Sequence, residues 1–239
     1  MNSKYITNFS RDDGFGAQYQ TILYSIIYAE LIKKEFVYTP FIKMEHNYNN
    51  DTCFLQDKEK LINIIGNYKT INQVDSYETT DHSIYKIVES NLDEYVNLKS
   101  FIKVKDLFNE NKPLKFKLDS NTVAVHIRRK NIHDNGQDYG YTDDDYFLNI
   151  INHIRKSSNN KNIFHIYSQG DINCFENFKS DDTYFHLNEK LEDTIYGLTS
   201  ANTLIMSKSS LSYISALMTE GMVYYIPFWH PKLNKWKIL

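Results

Sequence analysis

The amino-acid sequence predicts an α/β protein whose second half is a parallel sheet with helices on both faces. Short apolar runs alternate there with amphipathic helical segments, which is the pattern of right-handed βαβ units. The run Thr122–Ile127 begins with four apolar or β-branched residues, as in a strand buried on both faces. With 239 residues, 41% of them hydrophobic and 24% charged, the chain can form one large or two small domains.

The first half of the chain contains fewer clear elements. Tyr5–Phe9 and Phe36–Thr39 have the composition of strands. An apolar stripe at helical spacing predicts a helix over residues 17–34, and Leu55–Tyr68 and Ser83–Asn111 are also predicted to be helical. No internal repeat is visible among these segments.

The second half alternates strand and helix without a break. Its predicted strands are Thr122–Ile127, Ile163–Tyr167, Thr183–His186, Thr203–Met206 and Met222–Ile226. Its predicted helices are Asp143–Lys156, Ile172–Phe178, Glu192–Ala201 and Ser210–Glu220. The dipeptide Lys112-Pro113 lies where the pattern changes, so we expect an N-terminal domain over residues 1–115 and a C-terminal domain over residues 116–239.

Charge and composition exclude several classes of partner. The formal net charge of -3 gives no long-range attraction to nucleic acid or to an anionic membrane. No apolar run is long enough to span a bilayer, and we expect no signal peptide. The two cysteines, Cys53 and Cys174, lie outside any metal-ligand spacing. We therefore expect a reduced, cytoplasmic protein, and the sequence leaves its oligomeric state open.

The end of the strand at Thr122–Ile127 carries the first candidate site. His126 and Arg128 have the same parity, so their side chains point to the same side of the sheet while the chain stays extended. Open α/β sheets bind their ligands at this carboxyl edge. A guanidinium there can grip phosphate with two donors, and a histidine can reach a base, a ribose or a phosphate. A solvated strand end or a buried salt bridge explains the same residues equally well.

Two strand-to-helix turns offer further anion sites. Gly14 and Gly16 precede the first helix, where free backbone N–H groups and the helix dipole favour anions or sugar oxygens. Tyr19 replaces the third glycine of a dinucleotide fingerprint, and a merely tight turn explains the pair as well. Ser207–Ser210 stands at the start of a later helix and suits a diphosphate, although a plain serine N-cap is the simpler explanation.

Acidic residues near helix starts have similar alternatives. Asp193 can accept hydrogen bonds from the N–H groups of a purine base, or it can serve as a partner of the helix dipole. The run Asp143–Asp145 suggests a divalent cation site, but Thr142 stands at the N-cap position and helix capping accounts for the run. We therefore predict no metal site.

Several motifs, taken together, resemble those of the fucosyltransferase superfamily, and most closely the bacterial-type α-1,2-fucosyltransferases of glycosyltransferase family 11. Gly14–Gln18 resembles the Gly-x-Gly-Asn-Gln turn of that family, and His126–Arg129 matches its His-x-Arg-Arg motif. Leu204–Ser212 is similar to its Ile-x-x-Asn-Ser-Ser-Phe-Ser block. Three positions depart from the family pattern, namely Ala17, Asn131 and Lys208.

This resemblance implies a GT-B-like fold, in which two Rossmann-like halves face a cleft, with the acceptor on the N-terminal side and the nucleotide sugar on the C-terminal side. It implies transfer of a deoxyhexose, L-fucose, from GDP-fucose to a hydroxyl of a glycan acceptor, with inversion and without metal. No cofactor is bound permanently, because the GDP-sugar is a substrate.

The resemblance also assigns roles to individual residues. Arg128 holds the β-phosphate and stabilises the leaving GDP. A carboxylate downstream of the arginines is the candidate base, which indicates Asp138 or Asp134. Contacts to the donor nucleotide are implied for the remaining site residues, which are Gly14, Gly16, Gln18, His126, Asp193, Ser209, Ser210 and Ser212.

Two other hypotheses stay open on sequence alone. The chain fits a nucleotide- or glycan-binding module without turnover, which would bind GDP and consume no donor. It also fits a GT-B transferase that uses a different nucleotide sugar. The departure at Asn131, where the family usually has an aspartate, is the reason that both remain.

Overall fold

The computed structural model describes residues 3–48, 50–110, 112–113, 116, 121–129, 141–157 and 161–239. Contacts within the chain divide it into two compact units, Met1–Lys112 and Pro113–Leu239. Each unit has its own parallel sheet. No helix in these described residues is long and apolar enough to cross a membrane.

Unit 1 is built around a three-stranded parallel sheet with the order β2-β1-β3. Its strands are β1 (Tyr5–Thr7), β2 (Glu35–Val37) and β3 (Glu78–Thr79). Its helices are α1 (Phe15–Leu31), α2 (Phe54–Ile62), α3 (Ser83–Glu89), α4 (Leu92–Tyr95) and α5 (Lys99–Glu110). A short 3-10 helix, Ile71–Gln73, precedes β3.

The helices of unit 1 differ from the sequence prediction in their bounds. The segment predicted as one helix over Leu55–Tyr68 ends at Ile62, because Asn63 adopts a left-handed conformation with φ 54° and stops the helix. The segment predicted as helical over Ser83–Asn111 contains three helices. Strand β3 has only two residues, which is too short to produce a detectable alternation of apolar and polar side chains.

Unit 2 contains a five-stranded, wholly parallel sheet with the order β6-β5-β4-β7-β8. Its strands are β4 (Asn121–His126), β5 (Asn162–Ser168), β6 (Thr183–Leu187), β7 (Thr203–Ile205) and β8 (Met222–Tyr224). Its α-helices are α6 (Asp144–Ser157), α7 (Leu191–Ser200) and α8 (Ser210–Met218). The predicted helix over Ile172–Phe178 is a 3-10 helix.

Helices cover both faces of this sheet, as the sequence predicts. On one face, Val123 and Val125 of β4 pack against α6 and the 3-10 helix in a single apolar core. On the other face α7 approaches so closely that a Cβ at Gly197 would lie 2.0 Å from the Tyr167 hydroxyl oxygen. A larger residue at position 197 would therefore push α7 away from β5.

A segment near the C-terminus covers the outer edge of β8. The Tyr225 N–H donates to the Lys237 carbonyl, and the Lys237 N–H donates to the Val223 carbonyl. Next to this pairing, the buried Trp236 ring packs against Tyr213 and Tyr225. The edge strand thus has a hydrogen-bonded neighbour over part of its length.

Candidate active site

The carboxyl end of β4 places a buried histidine beside two buried serines. His126 is only 7% exposed, and its Nδ1 lies 2.5 Å from Ser212 Oγ and 3.1 Å from Ser207 Oγ. The Ser207 N–H donates to Ser212 Oγ at 3.1 Å. The imidazole at the end of β4 is therefore held by Ser207 and Ser212. These two serines come from the turn after β7, which neighbours β4 in the sheet, and from the helix α8 that follows.

Burial, followed by the charge of Arg128, lowers the pKa of His126 to about 3. The imidazole is therefore neutral at physiological pH. Because Ser212 Oγ already accepts a hydrogen bond from the Ser207 N–H, its own proton is available to donate to Nδ1. This arrangement favours the tautomer that carries its proton on Nε2, which makes Nε2 a neutral hydrogen-bond donor.

The two arginines after β4 make different contacts. The guanidinium of Arg129 forms an ion pair with Asp144 of α6, on the side of the apolar core. It also lies over the rings of Tyr141 and Phe175, 5.5 and 5.7 Å from their centroids. Arg128 donates from Nη1 to the Arg129 carbonyl at 2.5 Å, and its charge contributes to the low pKa of His126. Arg129 is therefore held by structural contacts, and the assignment of Arg128 to the ligand site stays a prediction.

The turn between β7 and α8 is capped by a serine. Ser209 is the N-cap of α8, and its Oγ accepts a hydrogen bond from the Leu211 N–H at 3.2 Å. Ser209 and Ser210 are partly exposed, as residues that contact a ligand must be. Ser212 is fully buried and contacts His126, so the structure makes it a support for the imidazole. Ser207 supports the imidazole in the same way, whereas the sequence placed it in a turn expected to contact a diphosphate.

Asp193 lies in the first turn of α7, on the same face of the sheet as His126. Burial, and then the charges of Glu189 and Asp193, raise the pKa of the Tyr167 phenol. Tyr167 is the direct neighbour of His126 across β4 and β5. The structure thus brings Asp193, His126 and the serine turn to one side of one sheet.

The glycine turn of unit 1 differs from the prediction in one respect. Gly14 is the N-cap of α1, but Gly16 lies inside the helix, whose first residue is Phe15. Gln18 is buried in the second turn, where its Nε2 donates to the carbonyls of Asp13 at 2.6 Å and Lys43 at 2.9 Å. The side-chain amide of Gln18 therefore ties the turn to the segment that follows β2.

A histidine from that segment lies close to Gly14. A Cβ built on Gly14 would lie 3.0 Å from Nε2 of His46, so a side chain there would need the imidazole to shift by a few tenths of an ångström. His46 itself has φ 72° and contacts the Tyr48 hydroxyl through Nδ1 at 2.6 Å. The start of α1, which has no side-chain cap, is thus partly covered by this ring.

A pair of hydrogen bonds joins the carboxyl ends of β5 and β6. The Gly170 N–H donates to Asn188 Oδ1 at 3.0 Å, and Asn188 Nδ2 donates to the Gly170 carbonyl at 2.9 Å. Both residues have positive φ, at 119° and 56°. Glycine and asparagine are the types that adopt this conformation most readily, so the sequence contained a signal that went unused.

The predicted catalytic bases, Asp134 and Asp138, lie outside the described residues. Of the acidic run Asp143–Asp145, the middle residue is committed to its ion pair with Arg129. Within the described part of the chain, no three His, Cys, Asp or Glu side chains are grouped so that they could hold a metal ion.

The family is shown by a match over most of the chain. The model of Glycosyl transferase family 11 matches residues 41–234. The chain belongs to glycosyl transferase family 11. It is therefore a glycosyltransferase, and the family resemblance inferred from the motifs is confirmed. No curated protein matches the chain at a significant level.

Two solved structures are similar to this chain at low sequence identity. The fucosyltransferase NodZ from Bradyrhizobium is 11% identical, with a TM-score of 0.50 over 94% of this chain and 96% of NodZ. POFUT1 in complex with GDP is 13% identical, with a TM-score of 0.46 over 92% and 96% of the two chains. The NodZ match confirms the predicted GT-B-like α/β fold for this member of family 11.

Proposed function

We propose that this protein transfers L-fucose from GDP-fucose to a hydroxyl group of a glycan acceptor, with inversion at the sugar. Family membership supports the glycosyl transfer, and the motif resemblance supports the deoxyhexose and the nucleotide. The observation that carries the proposal is the juxtaposition of neutral His126 and Arg128 at the carboxyl end of β4, beside the start of α8.

The chemistry of the leaving group gives these residues their proposed roles. Departure of GDP places negative charge on the β-phosphate, and a fixed guanidinium stabilises that charge as it develops. Arg128 supplies the guanidinium, and the N–H on Nε2 of His126 donates to a donor oxygen without adding charge. Ser209 and Ser210 present hydroxyls and the start of α8 to the diphosphate, while Asp193 accepts from the N–H groups of guanine.

The two units then take the roles expected from the sequence, with the donor on unit 2 and the acceptor on unit 1. The proposed proton acceptor for the attacking hydroxyl is Asp138 or Asp134. Since Arg128 stabilises the leaving group, transfer needs no divalent cation. Activity should survive EDTA, and a loss that only added Mg²⁺ or Mn²⁺ restores would overturn the metal-independent step.

A thermal-shift panel with GDP, UDP and ADP tests the nucleotide. GDP should raise the melting temperature most, because only guanine offers the paired N–H groups that one carboxylate can accept. A ligand at 100 times its Kd stabilises a folded protein by about 2.7 kcal/mol. Equal shifts for the three nucleotides would contradict the guanosine assignment.

Turnover tests the remaining part of the proposal. GDP release from GDP-fucose in the presence of glycan acceptors should exceed release from other GDP-sugars. GDP binding without release from any donor would instead identify a binding module. Faster GDP release from a different GDP-deoxyhexose would show that this other sugar, and not fucose, is the one transferred.

A further inference from the structure

Lys208 is the central residue of the tight turn that joins β7 to α8. The Ser209 N–H donates to the Ser207 carbonyl at 2.8 Å, and this hydrogen bond closes a three-residue turn around Lys208. Lys208 is also one of the three positions at which the chain departs from the motifs of its family, where the corresponding block has an asparagine. A cation particular to this chain therefore lies at the apex of the turn.

The two serines beside Lys208 already use their hydroxyls within the protein. Ser207 Oγ lies 3.1 Å from Nδ1 of His126, and Ser209 Oγ accepts from the Leu211 N–H at 3.2 Å. Lys208 is partly exposed, and its ammonium group forms no ion pair or hydrogen bond with any residue that the structure describes. The lysine can therefore contact a ligand at this turn without breaking a contact within the protein.

The charges around the turn are unfavourable for a lysine. The amino end of a helix carries a partial positive charge, so a cation placed there is destabilising. The nine-residue helix α8 begins at Ser210, two residues after Lys208. The charge of Arg128 also acts at this end of the sheet, since it contributes to the low pKa of His126. An anion bound at the turn would stabilise all of these positive groups.

Hydrogen-bond donors beside the lysine are available to the same anion. The Ser210 N–H, at the first position of α8, has no acceptor within the described part of the chain. The side chain of His126 is only 7% exposed and is held through Nδ1, and its Nε2 has no partner among the described residues. A cation and neutral donors without protein partners suit an anion that has several oxygens.

We propose that Lys208 binds the diphosphate of the donor nucleotide as a second cation, in addition to Arg128. Its ammonium group pairs with one phosphate oxygen, while the Ser210 N–H donates to another. That the diphosphate belongs to a sugar nucleotide rests on the proposed function, whereas the affinity of the turn for a diphosphate does not. Lys208 is thus a binding residue, and it takes no proton in the reaction.

Calorimetric titration of the full chain with GDP and with inorganic pyrophosphate tests the proposal. Pyrophosphate has neither base nor sugar, so its affinity depends on phosphate contacts alone. Lys208→Asn removes the charge and should weaken both ligands about tenfold at low ionic strength, as expected for the loss of one charge-assisted contact. Unchanged affinity for either ligand in this variant would overturn the proposal.

Ionic strength separates a charge contact from a structural role of the side chain. Salt screens the attraction between exposed charges, so the difference in affinity between the wild type and Lys208→Asn should shrink at high ionic strength. Lys208→Arg keeps the charge and should retain most of the affinity. A difference that does not depend on salt, or equal losses in the arginine and asparagine variants, would overturn the proposal.

A second lysine of unit 2 provides the matched control. Lys161 is exposed and directly precedes β5, at the edge of the sheet opposite the turn. Lys161→Asn makes the same change of charge and should keep the wild-type affinity for both ligands. Equal losses in Lys161→Asn and Lys208→Asn would show that only net charge matters, which would overturn the proposal.

The melting temperature without ligand checks the fold of the variant. Lys208→Asn removes a cation from the start of α8, so it should melt no lower than the wild type. Weaker binding accompanied by a lower melting temperature would assign the loss to the fold and overturn the proposal.

The choice of ligands separates this proposal from the proposed function. Pyrophosphate binding that depends on Lys208, with equal affinities for GDP, UDP and ADP, would contradict the guanosine assignment alone. Preferred binding of GDP that Lys208→Asn does not change would contradict the role of Lys208 alone. Absence of binding by all of these ligands to the wild type would overturn both.

Discussion

Two turns of the molecule, one in each unit, join the carboxyl end of a parallel strand to a helix, but their side chains make different contacts. Each follows a parallel strand and begins a helix, β1 to α1 in unit 1 and β7 to α8 in unit 2. In unit 2 the turn is capped by Ser209, and the buried hydroxyls of Ser207 and Ser212 contact one imidazole. In unit 1 the helix has no side-chain cap, and Gln18 holds backbone carbonyls.

The difference concerns where each turn leaves its polar groups. The serines of unit 2 hold His126 in place, while burial and the charge of Arg128 lower the pKa of its imidazole. Unit 1 instead leaves paired charges at its rim, Arg11 with Asp13 and Lys43 with Asp12. Substitutions in the serine turn should therefore change the surroundings of the imidazole, whereas substitutions at the rim of unit 1 should leave them unchanged.

The largest effect is expected at Arg128. Arg128→Lys keeps the charge and loses the planar fork, and should lower donor turnover about a hundredfold, or about 3 kcal/mol. Arg128→Ala should lower it further while the protein stays folded. Arg129→Ala removes the ion pair with Asp144 and should lower the melting temperature more than the rate.

Melting temperature and GDP release, measured for the three variants together, decide this prediction. Normal turnover in Arg128→Ala, with a stable but inactive Arg129→Ala, would mean that the two arginines have been assigned to the wrong faces of the strand. The site built on His126 would then be abandoned.

A smaller effect on the rate is expected at Ser212. Ser212→Ala removes the nearer of the two hydroxyls at Nδ1 of His126, at 2.5 Å, and leaves the imidazole held by Ser207 alone, at 3.1 Å. Donor turnover should fall about tenfold, in line with one hydrogen bond of about 1.5 kcal/mol. Steady-state kinetics with saturating acceptor measures this.

Ser215 provides the matched control. It is also fully buried on α8, but its hydroxyl donates only along the helix, to the Leu211 carbonyl at 2.8 Å. Ser215→Ala should therefore turn over donor at nearly the wild-type rate. Equal losses in the two variants would mean that Ser212 acts through the packing of α8 and not through His126.

The most gradual effect is the response of stability to pH. Histidine in an unfolded chain has a pKa of about 6.5, whereas the folded protein lowers the pKa of His126 to about 3. The contribution of the neutral imidazole to the free energy of unfolding is therefore fully present above about pH 6.5. It is lost as the pH falls toward the pKa of His126 in the folded protein. The upper limit of the slope is about 1.4 kcal/mol per pH unit. Burial, followed by His186, lowers the pKa of His165 in the same direction, to about 4.

Denaturant unfolding between pH 7.5 and pH 4.5 measures this slope. The slope should be shallower in His126→Gln, because one group that gains a proton on unfolding is missing. An identical slope in the variant and the wild type would show that His126 is accessible to protons in the folded state.

Much of the fold could be predicted because its strands are short, apolar and regularly spaced. The apolar run at Thr122–Ile127 predicts its own burial, and all six of its residues are buried in β4 or directly after it. The pattern does not report where a helix stops. Helix α2 ends because Asn63 adopts a left-handed backbone conformation. The conformation of a single residue does not change the spacing of apolar residues, so the apolar pattern could not predict this end.

The sequence predicted which residues lie near the candidate site better than it predicted what each of them contacts. Ser212 was expected to contact phosphate, but it is buried, because α8 turns that hydroxyl inward, where it contacts His126 of β4 and the Ser207 N–H. The direction of the Ser212 hydroxyl is set by how α8 packs on the sheet, and a sequence motif does not contain that information. The pairing of Asn8 with Thr39 was not predicted, because it joins segments about thirty residues apart in the chain.

The pairing of Lys237 with the outer edge of β8 has a practical consequence for handling the protein. An uncovered edge strand presents free N–H and C=O groups that recruit strands from other molecules. Removing Trp236 and Lys237 would uncover that edge and the aromatic side chains beside it. Shortened versions of the protein should therefore retain both residues, so that the edge stays protected against aggregation.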